Sequence, residues 1–343
     1  MPSRKRRTPH RTRELVIGAV LTTAGLGLTG FGWSTPLLPL GGKAALFLGG
    51  LVLVHQGSSR LLRALLGRRI DLVFIVSMVW LVGLVLLALL APLLPLAEHR
   101  DVAKTLLEPA NMAPRLLTDH PLGTNGQGLD LLSRSLHGAR TSLMISLMAV
   151  TMGTLVGGSI GVVAGYLRHG VDSVVGVLTN ALLAVPPLIL LIALSTFLDP
   201  SLRNMALALS LLTIPGMVRL ARANTIAFAQ REFVMAARLM GASRSRVMVR
   251  ELVPNVILPV FSMAIVIISV LIVAEASLSF LGLGIQQPDP TWGNMIAEGE
   301  GGAMEDHPHL VLVPGAFLFL TVFSFNLLGE KAQKRWDTRS AKL

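Results

Sequence analysis

The sequence predicts an all-α protein: a polytopic bundle of transmembrane helices with about eight spans and both termini in the cytoplasm. Three observations carry that expectation. Of 343 residues, 52% are hydrophobic and only 14% charged, with a mean hydropathy of +0.66, whereas a soluble domain carries nearer a quarter charged residues. The apolar residues gather in runs of about 17–25, the length a helix needs to cross ~30 Å of hydrocarbon. The basic residues, finally, cluster between alternate runs. The chain has no cysteine, which excludes disulfides, thiolate chemistry and cysteine-based zinc sites. A net charge of +11 is assigned by its placement to cytoplasmic loops before nucleic acid.

In chain order, spans are expected at 14–33, 37–54, 72–97, 141–166, 173–198, 204–218, 253–274 and 310–329. The first is rich in glycine, and the sixth is short and ends near Pro215. Pro186 and Pro187 fall inside the fifth. A proline pair frees backbone carbonyls, which is tolerable where a helix faces protein or a watery cavity. Both a kinked pathway-lining helix and a purely structural kink fit. Arg4 to Arg7 before an apolar run could mark a cleaved signal, but a second apolar segment follows at once without a clear cleavage site. A retained helical hairpin is expected.

Orientation follows from Lys and Arg, 22 of whose 30 residues lie in 1–13, 56–71, 219–250 and 330–343. A cytoplasmic N-terminus puts all four patches inside. The loop 276–309 then lies outside; it has no Lys or Arg but carries Asp289, Glu298, Glu300, Glu305 and Asp306.

The chain contains no phosphate-cradling G-x-x-x-x-G-K-[ST]: near Gly42-Lys43, Leu37 stands where the first glycine belongs and Ala44 follows the lysine. H-E-x-x-H and G-x-S-x-G are also absent, so no nucleotide-binding or catalytic role is expected. The loop histidines His99, His120, His307 and His309 read as solvated rather than as metal ligands. The spans are nearly bare of the ionisable residues that couple secondary transport. Glu275, at the outer end of the seventh, either lines a route or sits at the interface.

The most informative segment is 228–252, FAQREFVMAARLMGASRSRVMVREL, too polar to span and inside by the charge count. Phe233, Ala236, Ala237 and Met240 recur at helical spacing as one apolar stripe, with Arg231 and Arg238 on other faces. Gly241 allows a left-handed exit from that helix, and Ser243 is placed to cap a second, carrying Val247 and Met248. Two short helices rimmed with arginine suit a protein partner's acidic groove, and equally an anionic lipid surface.

The run from Glu232 through Ala236, Ala237 and Gly241 to Leu252-Val-Pro-Asn-Val-Ile-Leu-Pro259 resembles the cytoplasmic "EAA" loop of binding-protein-dependent ABC permeases. More narrowly it is similar to the C-type permease subunit of dipeptide, oligopeptide and nickel importers. Four further stretches strengthen the resemblance, which covers about 68–337. They are His120-Pro-Leu-Gly-Thr-Asn with Asp130-Leu-Leu-Ser-Arg134; Gly138-Ala-Arg-Thr-Ser-Leu143; Glu275-Ala-Ser-Leu-Ser-Phe-Leu-Gly-Leu-Gly284 with Trp292-Gly293; and Phe325-Asn-Leu-Leu-Gly329.

The resemblance implies a heteromeric importer in the bacterial inner membrane. This subunit would form half of the translocation pathway, with peptide as cargo and nickel or another small solute as the alternative. Its partners would be a paralogous permease, two ATPase subunits that bind ATP and Mg, and an extracytoplasmic solute-binding protein; this chain itself would hold no cofactor. A self-sufficient secondary transporter and a lipid-surface scaffold are the competing classes.

The resemblance also divides the chain. An N-terminal extension with a two-span hairpin occupies 1–67, the first family span and external loop 68–138, the permease core 139–330 and a basic tail 331–343. Glu232, Phe233, Ala236, Ala237, Arg238, Gly241, Ala242 and Ser243 would dock an ATPase; Asp130, Pro186, Pro187, Glu275 and Trp292 are candidate pathway or external contacts. Two departures stand out. Met235 occupies a position that is often acidic, and Leu129 replaces an arginine usual before Asp130.

Overall fold

Helices account for every regular element among the residues that the computed structural model describes, 8–34, 40–66, 71–115, 117–301 and 303–336. The sole β-type pairing among them is an isolated bridge between Thr124 and Asp130. The basic residues of 1–7, 67–70 and 337–343, on which part of the orientation argument rests, lie outside the described residues. The chain divides into two units, Met1–Val76 and Ser77–Leu343, with the boundary early in the third helix.

In the first unit α1 (Thr8–Ser34) and α2 (Leu40–Leu66) pack along their lengths. Gly18 and Gly25 of α1 meet Gly57 and Gly50 of α2 backbone to backbone; a Cβ on Gly25 would lie 2.6 Å from the Gly50 carbonyl oxygen. Small residues of this kind are what let apolar helices approach closely.

The second unit is built from α3 (Leu72–Leu90), α4 (Leu131–Leu167), α5 (His169–Ala184), α6 (Pro187–Ser195) and α7 (Leu202–Phe228). After these come α8 (Glu232–Leu239), the single turn α9 (Arg244–Arg246), a wider π-type turn (Val247–Leu252) and α10 (Val253–Phe280). The short α11 (Trp292–Glu298) and α12 (Ala303–Asp306) precede α13 (His309–Trp336). Five segments are long and apolar enough to span: Leu72–Leu93, Leu131–Leu167, Leu202–Phe228, Arg244–Phe280 and His309–Trp336. Gly170–Ala184 and Pro187–Ser195, bent by 85° at the proline pair, make a sixth if counted together. Of the two expected hairpin spans, α1 contributes a shorter apolar stretch, Glu14–Thr29, among the described residues.

Two expected boundaries move, each for a packing reason. The helix expected at 141 begins at Leu131, because Asp130 caps it, accepting from the Ser133 N–H at 2.7 Å, and because Arg134 is buried and paired. The span expected to stop near Pro215 runs to Phe228. Pro215 is buried inside it, and beyond it Arg219 and Arg222 are anchored on Asn180 and Asp172 of α5.

The core of this unit lies between α4, α7 and α10, around Ile145, Ala149, Leu209, Met217, Leu271 and Ile272, with Leu84 and Ala88 of α3 packed on it. The Trp80 indole N–H donates to Thr321 Oγ1 at 3.2 Å, tying α3 to α13. The closest approach is α4 on α7. Gly153, Gly157, Gly161 and Gly165 recur every fourth residue and so line one face of α4. A Cβ on Gly157 would lie 2.6 Å from the Ile214 carbonyl oxygen, and one on Gly161 2.5 Å from that of Val218. The neighbouring Gly158 faces away, its nearest contact Val260 Cγ1 at 4.0 Å.

Gly161→Val is therefore expected to cost about 1–3 kcal/mol through overpacking of the α4–α7 seam. Gly158→Ala should leave stability unchanged or slightly raised, since it gains helix propensity at an open position. Thermal unfolding of the two variants in detergent compares them directly.

Candidate functional site

The segment between α7 and α10 folds into a small mount with an exposed crest. Glu232 lies in the first turn of α8, where a negative charge complements the helix dipole. At the other end the Ala242 N–H reaches back to the Ala237 carbonyl and the Gly241 N–H to that of Arg238, both at 3.0 Å, closing a Schellman-type C-cap. Gly241 has a φ of +82°, which any side chain would make unfavourable by roughly 1–2 kcal/mol. Ser243 Oγ then accepts from the Arg246 N–H at 3.4 Å and starts α9. The π-type turn feeds the chain into α10, where Pro254 sits in the first turn without breaking the helix.

The buried floor of this mount is Val234, Ala237, Val247 and Leu252, with Tyr166 at the end of α4 and Phe228 at the end of α7 packed against it. That corrects the expected stripe. Ala237 faces inward with Val234, while Phe233, Ala236 and Met240 face solvent. Leu239 and Met240 are 88% and 82% exposed, and Met235, at the departure from the family pattern, is half exposed. Arg238 lies over the Tyr166 ring, 5.3 Å from its centroid, and Arg231, Arg244, Arg246 and Arg250 are exposed around the crest. Apolar crest, arginine rim and rigid floor together make a surface that can bind a groove and transmit force.

At the opposite end of α4 a polar platform is assembled from 94–130, the start of α4 and α11. Its hub is Glu298, whose carboxylate pairs with Arg134 and accepts from Asn125 Nδ2 at 2.8 Å and Gln287 Nε2 at 3.0 Å. Arg134 is 1% exposed, and it also donates to the His99 carbonyl oxygen. Asp130 is not left alone by Leu129: besides capping α4, its Oδ1 lies 3.1 Å from His120 Nδ1, while Leu129 is buried. Burial raises the Asp130 carboxyl above its usual range, against the opposing hydrogen bond from the Ser133 N–H and the pairing with His120.

Several sequence expectations change here. His120 and His309 are buried and His99 stacks on His137 at 3.7 Å, so none of these three is a solvated loop histidine. Burial lowers the His99 pKa, as does its neighbour His137. Trp292 is fully buried and donates from Nε1 to the Ser135 carbonyl at 3.1 Å, so it anchors α11 on α4 rather than presenting a ring to the exterior. Glu275 is fully buried as well, accepting from Ser142 at 2.6 Å and Ser279 at 2.7 Å; it cross-links α10 to α4. Of the acids expected outside, Glu298 is consumed by the platform and Asp289 pairs with Arg100 at 3.3 Å. Glu300, Glu305 and Asp306 form the exposed edge.

Pro186 and Pro187 are exposed at the 85° break between α5 and α6, a full interruption rather than a kink. Arg134, Glu298 and His120, which the sequence marked without a partner, and Val234, which it passed over, gain their roles from contacts up to 173 positions away. No periodicity marks such partners. The α4 glycines were visible at four-residue spacing. Among the described residues no group of three or more His, Asp or Glu could hold a metal ion.

Residues 157–341 match the model of a family described as binding-protein-dependent transport system inner membrane component. A dipeptide transport system permease protein (DppC) of Alkalihalophilus pseudofirmus is 32% identical over 231 residues, 67% of this chain and 76% of the relative. A glutathione transport system permease protein (GsiD) of Pectobacterium atrosepticum is 34% identical over 220 residues, 64% and 73% of the two chains. A di/tripeptide transport system permease protein (DppC) of Pseudomonas aeruginosa is 36% identical over 218 residues, 64% and 72%.

Glu98 supplies a pH test of the platform. Its carboxylate accepts the N–H groups of Asp101, Arg100 and His99, each at 3.1 Å, and contacts Lys104; against the opposing effect of burial these lower its pKa from 4.5 to about 2. A depressed carboxyl stabilises the fold fully above about 4.5, and the contribution is lost as pH falls from there through about 2. Hydrogen-exchange protection over 98–105, corrected for the intrinsic rate at each pH, should fall as pH drops through that window, and Glu98→Gln should remove that change while lowering protection at neutral pH.

Proposed function

From the premise that this chain belongs to the binding-protein-dependent transport system inner membrane components, we propose that it is the permease subunit through which a peptide importer couples ATP hydrolysis to translocation. Membership makes it a multi-pass inner-membrane transport subunit rather than a catalyst. The finer assignments are the peptide cargo, a paralogous permease beside it, two ATPases below and a solute-binding protein outside. Support for the cargo comes from relatives named for dipeptide, di/tripeptide and glutathione transport.

The observation that carries the coupling role is the mount itself. Its crest leaves Leu239 and Met240 almost wholly exposed while its floor is dry and locked to the ends of α4 and α7. Large exposed apolar side chains ringed by arginine are the composition of an interface centre with a charged rim. Force applied to the crest reaches the spans without loss in a flexible linker, since α8 is tied to Phe228 and Tyr166 by packing. ATP-driven closure of the partner ATPases would then switch the helices between outward and inward access as a rigid-body transition. On the outside, the exposed Glu300, Glu305 and Asp306 suit a basic surface on the binding protein or the amino terminus of a peptide.

Reconstituted in proteoliposomes with its cognate subunits, the protein should take up labelled dipeptide only with ATP and the binding protein present. Leu239→Asp with Met240→Asp should cut uptake tenfold or more, from about 1–2 kcal/mol lost at each docking contact, with the permease still assembled in the membrane. Ala237→Glu serves as a different probe. It places a charge in the floor, so it should lower thermal stability as well as transport. Uptake that needs no partner, or that survives the double crest substitution undiminished, would reject the coupling role.

A further inference from the structure

Within this chain α5 is held differently from α4 and α7. Of its described residues only Thr179 is buried, while Val174, Val177, Leu178, Leu182 and Leu183 are exposed. The backbone contact that glycines give the α4–α7 seam has no counterpart here: a Cβ on Gly170 or Gly176 would meet nothing within 4 Å. Two polar clips from α7 fasten α5 instead. Arg222 grips both carboxylate oxygens of Asp172, with Nη2 2.6 Å from Oδ2, and Arg219 Nη2 donates to Asn180 Oδ1 at 2.8 Å. The Asp172–Arg222 pair is partly exposed, so solvent can take over its hydrogen bonds when it opens.

Both ends of α5 are backbone discontinuities. At its start Arg168 has a φ of +54° and a ψ of −164°, a conformation that only glycine enters freely. Its N–H closes α4 on the Ala164 carbonyl at 3.1 Å, and no side chain caps the start of α5. At the far end Val185 and Pro186 are extended, with ψ of 127° and 129°. Pro186 and Pro187 bring no N–H to the carbonyls of Leu182 and Leu183 one turn back, so rotation there breaks no helical hydrogen bond. Beyond the break α6 is fixed, because Leu191 is fully buried in the core. α5 is thus a rod with a pivot at each end and clips along its side.

We propose that α5 is the moving element of the permease: it pivots at Arg168 and at the Val185–Pro186 break, and its clips to α7 part when access alternates. The α4–α7 seam is the rigid frame against which it moves. Strain at Arg168 belongs to the observed position and opposes the clips, which keeps the two positions close in free energy. The inference rests on the permease reading, because alternation needs a transported solute, and not on which solute is carried.

The chain has no cysteine, so spin labels can be placed pairwise on introduced ones. The complete importer, with cysteine-free partner subunits, is reconstituted in nanodiscs. Label-to-label distances are measured by pulsed electron paramagnetic resonance, first without nucleotide and then trapped with ATP, vanadate, binding protein and dipeptide. Leu155→Cys on α4 with Leu182→Cys on α5 reports the pivot. A turn of about 15° at Arg168 carries Leu182, about 21 Å along the rod, through about 5 Å. Leu155→Cys with Leu211→Cys on α7 spans the seam and should not change. Asp172→Asn opens one clip and should raise the population of the trapped distance in the nucleotide-free importer about fivefold. Arg168→Gly relieves the observed position and should lower that population about tenfold, with uptake slowed.

An unchanged Leu155–Leu182 distance in an importer that still takes up dipeptide would overturn the proposal, as would a seam pair that moves as far as the α5 pair. Populations unshifted in both variants would overturn it too, since neither clips nor strain would then set the position of α5. Absence of ATP-driven uptake by the unlabelled importer would instead reject the permease reading, and this inference with it.

Discussion

The close seam between α4 and α7 is the contact on which the remaining architecture rests. In a bilayer the hydrophobic effect does not press helices together, so proximity must come from shape. Glycine at every fourth position of α4 removes the side chains that would hold the two backbones apart. Because the seam includes Gly165, next to the end of α4, and reaches the last turns of α7, it fixes Tyr166 beside Phe228. The floor of the mount is laid on that pair. The polar platform is likewise built on the opposite end of α4, through Asp130 and Arg134. One helix therefore carries both surfaces.

A second consequence concerns polarity. Buried polar groups in this chain sit where two helices need a fixed register. Glu275 joins α10 to Ser142 on α4, Trp292 clamps α11 to Ser135, and Arg134 meets Glu298. Each pairing is costly to break because a partner would be left unsatisfied in a low-dielectric site. These groups act as positional keys between helices.

Much of this was legible in the sequence. Hydropathy identified the long spans, and the loop 228–252 stood out as too polar to cross and periodic enough to be helical. Gly241 and Ser243 gave its two corners correctly, because positive φ and N-capping are local chemistry. What stayed hidden was anything that depends on a distant neighbour. The stripe through Phe233, Ala236 and Ala237 was assigned one common face, but only contact with Val247 and Tyr166 reveals that Val234 and Ala237 turn inward. Arg134, Arg219 and Arg222 look like loop charges in a hydropathy profile, and partners on other helices make them helical.

The 37 residues of α4 have a further geometric meaning. At ~1.5 Å per residue the helix is about 55 Å long, against a hydrocarbon layer of ~30 Å. A large part of it must project beyond the bilayer or lean steeply within it, and its polar first three turns mark the projecting end. Such a rod behaves as a lever: rotating it by about 5° about one end swings the other end, about 55 Å away, through about 5 Å. A small rotation at one end is thereby turned into a displacement several times larger at the other, with no hinge needed inside the helix.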